Sequence, residues 1–440
     1  MRLRTRPGLA LVLATTVSAT SLAAAANATP THPVTPSVTG WISRHATPIA
    51  TLAPDAPVED LAPLRGIVGA APIVGLGEST HVASEVISLK HRALRYLVEK
   101  LGFRSIAWEE DWTIGLEVNR YILGGTGDLD AVMAKMTDTW RTQEVAAVLR
   151  WLRDYNTRRA DKVRFVGVEF YATGHAAYDA VSSHVATVAP HRLPELSRHL
   201  DPIRPATTDI AAHAQRYYAL PDDDKQPYLR HARAVYDLLR ALPRRQGDRA
   251  QELALHHARQ ILSFYEYYAD PNLHQYRDRR AAENLRWWRG HTGGKIAYWA
   301  ATPHTVAAPG TGISVPPLTF DSAGSYLRRW YGKRYVSIGF TFTRGTVIDP
   351  EGKPVRVLPP PADWADAPFG QVGMEQYLLD LRAEAPATVQ QWLRTPAKIR
   401  LIGYFDGSDP AGHFMTGASL AAGFDAIVHR QAITPPRPWN

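Results

Sequence analysis

Two side chains suited to proton transfer stand three positions apart in the segment Gly77-Glu78-Ser79-Thr80-His81. The apolar run Ile73-Val74-Gly75-Leu76 precedes it, which is typical of a buried strand that ends where a helix begins. In parallel α/β folds, ligands bind at the carboxyl ends of the strands. Because a carboxylate and an imidazole exchange protons near neutral pH, the segment predicts an acid–base site. A structural alternative also fits: Ser79 or Thr80 caps the helix, and His81 is an exposed imidazole.

Three further strand ends carry candidate side chains. Glu109 follows an apolar run and begins the acidic cluster Glu109-Glu110-Asp111. Acids are favourable at a helix N-terminus, and Asp111 suits an N-cap, so Glu109 is the one we expect to face a cleft. Glu169 ends another predicted strand, where a structural role is as reasonable as a catalytic one. His304 follows the predicted strand 295–300, and on its own it would be interpreted as a loop histidine.

Other side chains and motifs exclude several kinds of chemistry. The chain has no cysteine, so disulfides, thiolate nucleophiles and iron–sulfur clusters are excluded. It contains no Gly-x-Ser-x-Gly elbow, dinucleotide or phosphate loop, or His-Glu-x-x-His motif. Glu78, His81, Glu109 and His304 could bind a metal, but their spacing matches no established metal signature, so we expect neither metal nor cofactor. His256, His257 and His291 are expected to be surface groups.

The elements around these residues alternate. Strands are predicted at 73–77, 103–108 and 163–168, with helices at 84–101, 111–123 and 144–155 between them. Residues 193–290 show only helical patterns, and strands resume at 295–300, 335–342, 399–402 and 424–430, with helices at 325–331 and 374–393. This order predicts an α/β fold of three layers with a mainly parallel central sheet and a large helical insertion at about 193–290.

The N-terminus has the pattern of a secretory signal peptide. Arg2, Arg4 and Arg6 precede an apolar stretch, and Ala26-Asn27-Ala28 offers small residues for cleavage. We therefore predict a signal peptide at 1–28, an exported linker at 29–45, a catalytic domain at 46–440 and a secreted protein without a membrane anchor. The formal charge of +8 is spread along 440 residues, which favours ordinary solvated charge over a nucleic-acid surface. The expected partner is a small-molecule substrate, and we expect a monomer.

Several segments beyond the opening motif resemble the erythromycin esterase family. The similarity begins with Glu78 to His81 and Glu85, and continues through Lys90-His91-Arg92 to Glu109. Later matches are Tyr276-Arg277-Asp278 with Ala282-Glu283-Asn284, Ser325-Tyr326-Leu327, the run 335–340, and the ending Phe424-Asp425-Ala426 with Thr434-Pro435. The resemblance thus extends from about residue 70 to the C-terminus.

The resemblance implies metal-independent hydrolysis of an ester or lactone. It assigns His81 as the general base, Glu78 and Glu109 as its partners, and His304 with Lys90 as polarising groups. Lys90, Arg92, Glu169 and Asp278 become candidates for substrate contact. The lactone hydrolases carry two histidines in Trp-Ala-His-Asn-x-His, whereas this chain has Ala301 at the first of them and keeps only His304.

Two other functions remain open from the sequence. The same acid–base groups could serve a cyclase or lyase that acts on a natural product. The Glu and His cluster could instead make the chain a secreted binding protein for a metal or a tetrapyrrole.

Overall fold

A parallel sheet carries the candidate residues at the carboxyl ends of its strands. A computed structural model describes residues 36–125, 127–243, 247–402 and 407–439. The proposed signal peptide at 1–28 lies outside these residues, so export stays a prediction from the sequence. No helix among the described residues is both long enough and apolar enough to cross a membrane.

Within the described residues, nine strands form the main sheet, in the order β1-β10-β13-β8-β2-β5-β3-β4 with β9 beside β8. The six strands from β13 to β4 run parallel, whereas β1, β10 and β9 join antiparallel. A second, antiparallel sheet has the order β11-β12-β6-β7. The strands are β1 Thr47–Pro48, β2 Ile73–Glu78, β3 Phe103–Asp111, β4 Arg164–Glu169, β5 Lys295–Ala301, β6 Thr311–Ile313, β7 Leu318–Phe320, β8 Tyr335–Ile348, β9 Pro354–Val357, β10 Gln376–Asp380, β11 Ile399–Arg400, β12 Phe414–Thr416 and β13 Ala426–Ile433.

Helices cover both faces of the main sheet. The helices are α1 Pro36–His45, α2 Leu64–Val68, α3 Ser84–Leu101, α4 Trp112–Ile122, α5 Leu129–Met133, α6 Gln143–Arg158, α7 His175–Val188, α8 Leu193–Leu200, α9 Ile210–Tyr218, α10 Asp222–Ala241, α11 Arg249–Tyr267, α12 Leu273–Thr292, α13 Thr302–Thr305, α14 Ala323–Tyr331, α15 Ala387–Arg394 and α16 Leu420–Gly423.

The three layers follow from the alternation of side chains along β2. Val74 and Leu76 pack into the core beneath α3 and α6. Ile73 packs on the opposite face, with side chains from α12 and α14. Every residue of β2 is buried, because a parallel sheet with helices on both faces leaves neither face to water. The predicted α/β fold with a mainly parallel sheet is confirmed.

Only helices lie between β4 and β5 in the described chain, and they begin with α7 rather than at residue 193. Helices α7 to α11 surround a hydrophobic core of their own. Two histidines of α11 belong to the interior, so the prediction that they are surface groups is wrong. The ring of His256 stacks on Trp287 at 3.5 Å, and His257 accepts a hydrogen bond from the Trp112 indole at 3.0 Å. His291 is half-buried.

Two other elements differ from the sequence prediction. The exported linker at 29–45 is wrong for its second half, because residues 36–45 form α1 and Trp41 is fully buried against α15 and its neighbours. The helix predicted at 374–393 is wrong over Gln376–Asp380, which form β10. Tyr377, Leu378 and Leu379 are all buried, and such a continuous apolar run suits a strand with both faces covered.

One histidine of α3 has a buried imidazole. His91 is 2% exposed, and neither ring nitrogen has a hydrogen-bond partner among the described residues. Burial, helped by the charge of Arg95, lowers the pKa of His91 from 6.5 to about 3. The unfolded chain therefore binds one more proton than the fold between these pH values, and stability falls as the pH falls through this window.

We predict that His91→Leu weakens this acid sensitivity. Below pH 6.5 the wild type should lose about 1.4 kcal/mol more per pH unit than the variant, down to about pH 3. Urea unfolding at pH 7, 6, 5 and 4 measures the difference in slope. The exposed His191→Leu is the control and should keep the wild-type slope. Parallel pH dependences for His91→Leu and the wild type would contradict the prediction.

Candidate active site

Glu78 and His81 lie at the carboxyl end of β2, in the centre of the sheet. Glu78 is the last residue of the strand and is 2% exposed. Its Oε1 lies 2.8 Å from His81 Nδ1. Because a carboxylate only accepts, Nδ1 carries the proton, and Nε2 is left with its lone pair free. The structural alternative is wrong here, because the N-cap of α3 is Ala83 and neither Ser79 nor Thr80 caps the helix.

Lys90 lies behind Glu78 and not in the cleft. Its ammonium contacts Glu78 Oε2, and it sits 4.2 Å from the centroid of the Trp299 ring. The side chain is fully buried, so the prediction that Lys90 contacts substrate is wrong. Burial lowers the pKa of Lys90 well below its ordinary value, whereas the carboxylates of Glu109 and Glu78 favour the charged ammonium. Because the ammonium contacts Glu78 directly, we assign a charged Lys90 that compensates Glu78, whose other oxygen holds the imidazole.

Glu109 enters the site because β3 is irregular at this point. Trp108 pairs with Gly167 and Asp111 with Glu169, so β3 uses one more residue than β4 between these pairs. This bulge re-aims the side chains at the end of the strand. Gly167 permits the close approach, because a Cβ there would lie 2.2 Å from the Asp111 carbonyl oxygen.

The carboxylate of Glu109 is surrounded by donors. Its Oε2 accepts from the Ala301 amide at 2.8 Å, and Oε1 accepts from Arg277 Nη2 at 2.8 Å. Burial would raise the pKa of Glu109, but the charges of His304 and Arg277 and the hydrogen bond from His304 outweigh it. They hold the pKa well below its ordinary value. Glu109 is therefore a carboxylate at neutral pH.

Arg277 is the charged residue of this cluster that sequence reasoning missed. It projects from α12 and places Nη2 within 2.8 Å of Glu109 and 2.9 Å of Glu169. Burial raises the pKa of Glu169, although Arg277 opposes this. The only signal in the sequence was that Arg277 precedes Asp278 in a segment that matches the family.

His304 is held between two carboxylates. Its Nδ1 lies 2.9 Å and 3.0 Å from the two oxygens of Asp278, and its Nε2 lies 3.3 Å from Glu109 Oε1. Nε2 is also 3.2 Å from Arg277 Nη1, a contact that would suit a neutral ring. We assign the imidazolium, because two carboxylates outweigh one guanidinium. Burial and the charge of Arg277 lower the pKa of His304. Asp278 and Glu109 raise it by more, so that this pKa lies at about 10.

His81 has the opposite protonation. Burial lowers its pKa, and the charges of His304 and Arg277 lower it further, while Glu109 opposes them. The ring stands edge-on to Trp140 at 4.9 Å, and its side chain is 15% exposed. The site therefore pairs a neutral imidazole, able to accept a proton, with an imidazolium that can donate one.

Three of the remaining charged residues, Glu110, Asp111 and Arg92, have structural partners and do not join the cluster. Glu110 accepts from Thr137, and Asp111 caps α4 by accepting from the Thr113 amide at 2.8 Å, so both are structural. Arg92 points away from the site and binds Asp60 and the Thr51 carbonyl, so its predicted contact with substrate is wrong.

Glu78, His81 and Glu109 could together offer ligands to a metal, because their donor atoms lie within 4.8 Å of one another. Each carboxylate already has its own cation, however: Lys90 contacts Glu78, and Arg277 binds Glu109. A metal would have to displace these partners or share the carboxylates with them. The donor set fits a self-compensated charge cluster better than a vacant metal site.

A cleft of about 850 Å³ lies between α4 and the helical insertion, and it approaches the cluster through Tyr171, although none of Glu78, His81, Glu109, Arg277 and His304 lines it. Tyr171 lines the cleft, and its ring lies 5.7 Å from the Arg277 guanidinium. Ile210 and Gln215 of α9 form part of the opposite wall. The volume is that of a typical small-molecule site.

We predict that Asp278→Asn removes one of the two carboxylates that keep His304 charged. In the wild type, the ring should stay protonated to about pH 10. In the variant, its pKa should move down by at least one unit. Imidazole NMR signals followed from pH 6 to 11, assigned with His304→Gln, measure the shift. An unchanged titration, or a wild-type ring that deprotonates near pH 6.5, would refute the assignment of the imidazolium.

Comparisons with solved structures agree on the fold. A Bacillus cereus protein of known crystal structure is 27% identical, with 91% of this chain and 98% of that chain covered and a TM-score of 0.79. A succinoglycan biosynthesis protein is also 27% identical, with 91% and 97% covered and a TM-score of 0.77. A histidine-to-asparagine mutant of the erythromycin esterase EreC, in its open conformation, is 17% identical over 90% and 99%, with a TM-score of 0.67.

Sequence relatives and a family description agree on the family to which the chain belongs. The chain is 31% identical to erythromycin esterase type II of Escherichia coli over 30% of this chain and 32% of the relative, so it spans about a third of that protein. A Bacillus subtilis protein, YbfO, named provisionally as a hydrolase, is 23% identical over 90% and 91%. The description of the family Erythromycin esterase matches residues 98–433. The chain therefore belongs to the erythromycin esterase family.

Proposed function

We propose that the protein hydrolyses an ester or lactone, with His81 as the general base that activates water. The observation that carries this proposal is the hydrogen bond between Glu78 Oε1 and His81 Nδ1, which leaves Nε2 as an acceptor. A lowered pKa keeps that imidazole neutral at pH 7. The family supports a hydrolase of the esterase type, and so does the name of its Bacillus subtilis relative.

The chemistry follows from the charges. His81 Nε2 removes a proton from water as the water oxygen bonds to the carbonyl carbon, and the carbonyl electrons move onto oxygen. Arg277 and the His304 imidazolium are the cations that can stabilise this oxyanion. When the oxyanion collapses, the carbon–oxygen bond to the alcohol breaks. The departing alkoxide takes the proton from His81, so that an acid and an alcohol leave and the base is restored.

The substrate we propose is an ester or lactone other than erythromycin. Ala301 replaces a histidine of the family's motif, and what this position contributes is its backbone amide, which donates to Glu109. One donor that the lactone hydrolases have is therefore missing. We place the non-reacting part of the substrate in the 850 Å³ cleft, which meets the cluster at Tyr171.

We predict that His81→Ala lowers kcat by about 10²–10⁴-fold, because the general base is lost. The rates are measured on a panel of esters and lactones in water enriched in the heavy oxygen isotope, since hydrolysis adds one water oxygen to the acid. His291→Ala, at the opposite end of α12 from Arg277, is the control and should keep the wild-type rate. Wild-type rates for His81→Ala would end the proposal.

The oxygen content of the product and a test for bound metal separate the other functions. A product without added oxygen would indicate a lyase or cyclase. A stoichiometric metal, together with loss of activity on chelation, would indicate that Glu78, His81 and Glu109 hold an ion. We expect full activity after chelation, because Lys90 and Arg277 already neutralise these carboxylates.

We predict that filling the cleft discriminates between substrates by size. Ile210→Trp, at the start of α9, should raise KM for a bulky ester several-fold and leave p-nitrophenyl acetate unaffected, since the small ester needs only the catalytic groups. Ile210→Val is the matched control. An equal effect of Ile210→Trp on both esters, or no effect on either, would contradict this location for the substrate.

A further inference from the structure

The segment 434–439, which follows β13, binds the chain shortly after His81 and shortly after Trp140. We call it the C-terminal strap. It runs along the beginning of α3 and then the beginning of α6, two elements that are far from it in the sequence. Both helices start only a few residues after a side chain that forms or contacts the proposed base. Ser84 begins α3 three residues after His81, and α6 begins three residues after Trp140, whose ring contacts His81.

At α3 the strap supplies the cap that the helix lacks. The N-cap residue Ala83 offers no side-chain hydrogen bond, and the first four amides of a helix need acceptors from elsewhere. The Thr434 carbonyl accepts from the Ser84 amide at 2.9 Å. In return, Glu85 accepts from the Thr434 amide at 2.7 Å and from the Thr434 hydroxyl at 2.8 Å. Strap and helix are thus joined in both directions.

At α6 the strap is held by a buried carboxylate. Glu144 is 7% exposed, and its Oε1 accepts from the Ser84 hydroxyl at 2.8 Å. The same carboxylate accepts from the Arg437 amide at 3.1 Å and from its guanidinium at 3.2 Å. One side chain therefore fastens the start of α3 to the strap. The Arg437 carbonyl accepts in turn from the Gln143 amide at 2.8 Å.

The strap also secures the segment that carries Trp140. The Trp439 amide donates to the Arg141 carbonyl at 2.9 Å. The Trp140 indole donates to the Glu109 carbonyl at 3.0 Å, and its ring stands 4.9 Å from His81. The position of the imidazole thus depends on two short segments, 79–83 and 137–142. The strap bonds to Ser84, which follows the first segment directly, and to Arg141 near the end of the second.

We propose that the C-terminal strap positions His81 for catalysis, with Glu85 and Glu144 as positioning residues. The proposal rests on the proposed function of His81. Neither carboxylate touches the catalytic cluster, so each acts only through the segments it holds. A displacement of about 1 Å at a reacting group can cost on the order of 10²-fold in rate, so a slack strap lowers kcat. The strap itself does not line the cleft, although Thr137, Asp138 and Arg141 of the segment that it holds do. KM is therefore read with a small ester, which needs only the catalytic groups and should keep a KM near the wild-type value.

The acid limb of the pH profile reports on this positioning. The groups that face His81 are Glu78 from β2, Glu109 from β3, Arg277 from α12 and the His304 imidazolium from α13. A slack strap leaves all four in place but admits water to the ring. Because burial is the main cause of the lowered pKa of His81, hydration moves that pKa up towards 6.5. The acid limb of the kcat/KM profile reports the pKa of the general base in the free enzyme.

The experiment compares Glu85→Ala and Glu144→Ala with the conservative Glu85→Gln and Glu144→Gln in the full chain. We expect kcat for p-nitrophenyl acetate to fall at least about tenfold in each alanine variant, with KM within about twofold and the acid limb shifted upward. The glutamine variants, which keep an acceptor oxygen, should recover most of kcat. Glu195→Ala, which removes a carboxylate bound to Arg192 in the helical insertion, is the matched control.

Wild-type kcat and acid limb in both alanine variants would overturn the proposal, and so would a fall in kcat without any shift of the acid limb. If Glu144→Ala fails to fold by circular dichroism, the half-buried Glu85 alone decides between these outcomes. His81→Ala keeps the two proposals distinguishable. If it is inactive while the strap variants equal the wild type, only the strap proposal fails; if it is active, the proposed function fails.

Discussion

A buried carboxylate is costly to keep charged unless a cation or several hydrogen bonds compensate it, and Glu78 meets this constraint at the centre of the sheet. Lys90 contacts one of its oxygens, and the other accepts the proton of His81 Nδ1. The orientation of the imidazole and the protonation of its free nitrogen both follow from that arrangement. Lys90 in turn lies over the face of Trp299 on the neighbouring strand, so the packing of α3 against the sheet is part of the same interaction.

The rest of the site repeats this principle with opposite results for its two histidines. Around His304 the carboxylates of Asp278 and Glu109 dominate, and the ring is charged. Around His81 burial lowers the pKa most, Glu109 opposes it, and the charges of His304 and Arg277 add to it. The Glu78 carboxylate that holds this ring is compensated by Lys90, and the ring is neutral. Two identical side chains on one sheet edge thus acquire the separate roles of acceptor and donor from their neighbours alone.

The sequence predicted most of the frame and part of the site, for identifiable reasons. The periods of the central strands and of α3 are strong, and Glu78, His81, Glu109 and His304 all follow apolar runs, so the structure brings them to one edge as expected. Arg92 was misplaced because residues two positions apart on a helix point to nearly opposite sides, so it cannot share the surroundings of Lys90.

Arg277 could not be predicted by the same rules. It comes from the interior of a helix, 168 residues from its partner Glu109, and no period in the sequence marks such a contact. The strand β10 was mistaken for a helix because a short run buried on all sides has no alternation that would reveal its period. These errors concern contacts and burial, which depend on the tertiary fold.

The position of β2 has a consequence for how the chain must fold. This strand, which carries Glu78, lies between β5 and β8, whose residues follow it by more than 200 positions. Its apolar side chains therefore have no sheet to join until most of the chain has been made, and such long-range pairing is intrinsically slow. Until β5 has been made, the apolar side chains of β2 have no neighbouring strand to pair with, so this central segment stays unpaired while more than 200 further residues are added.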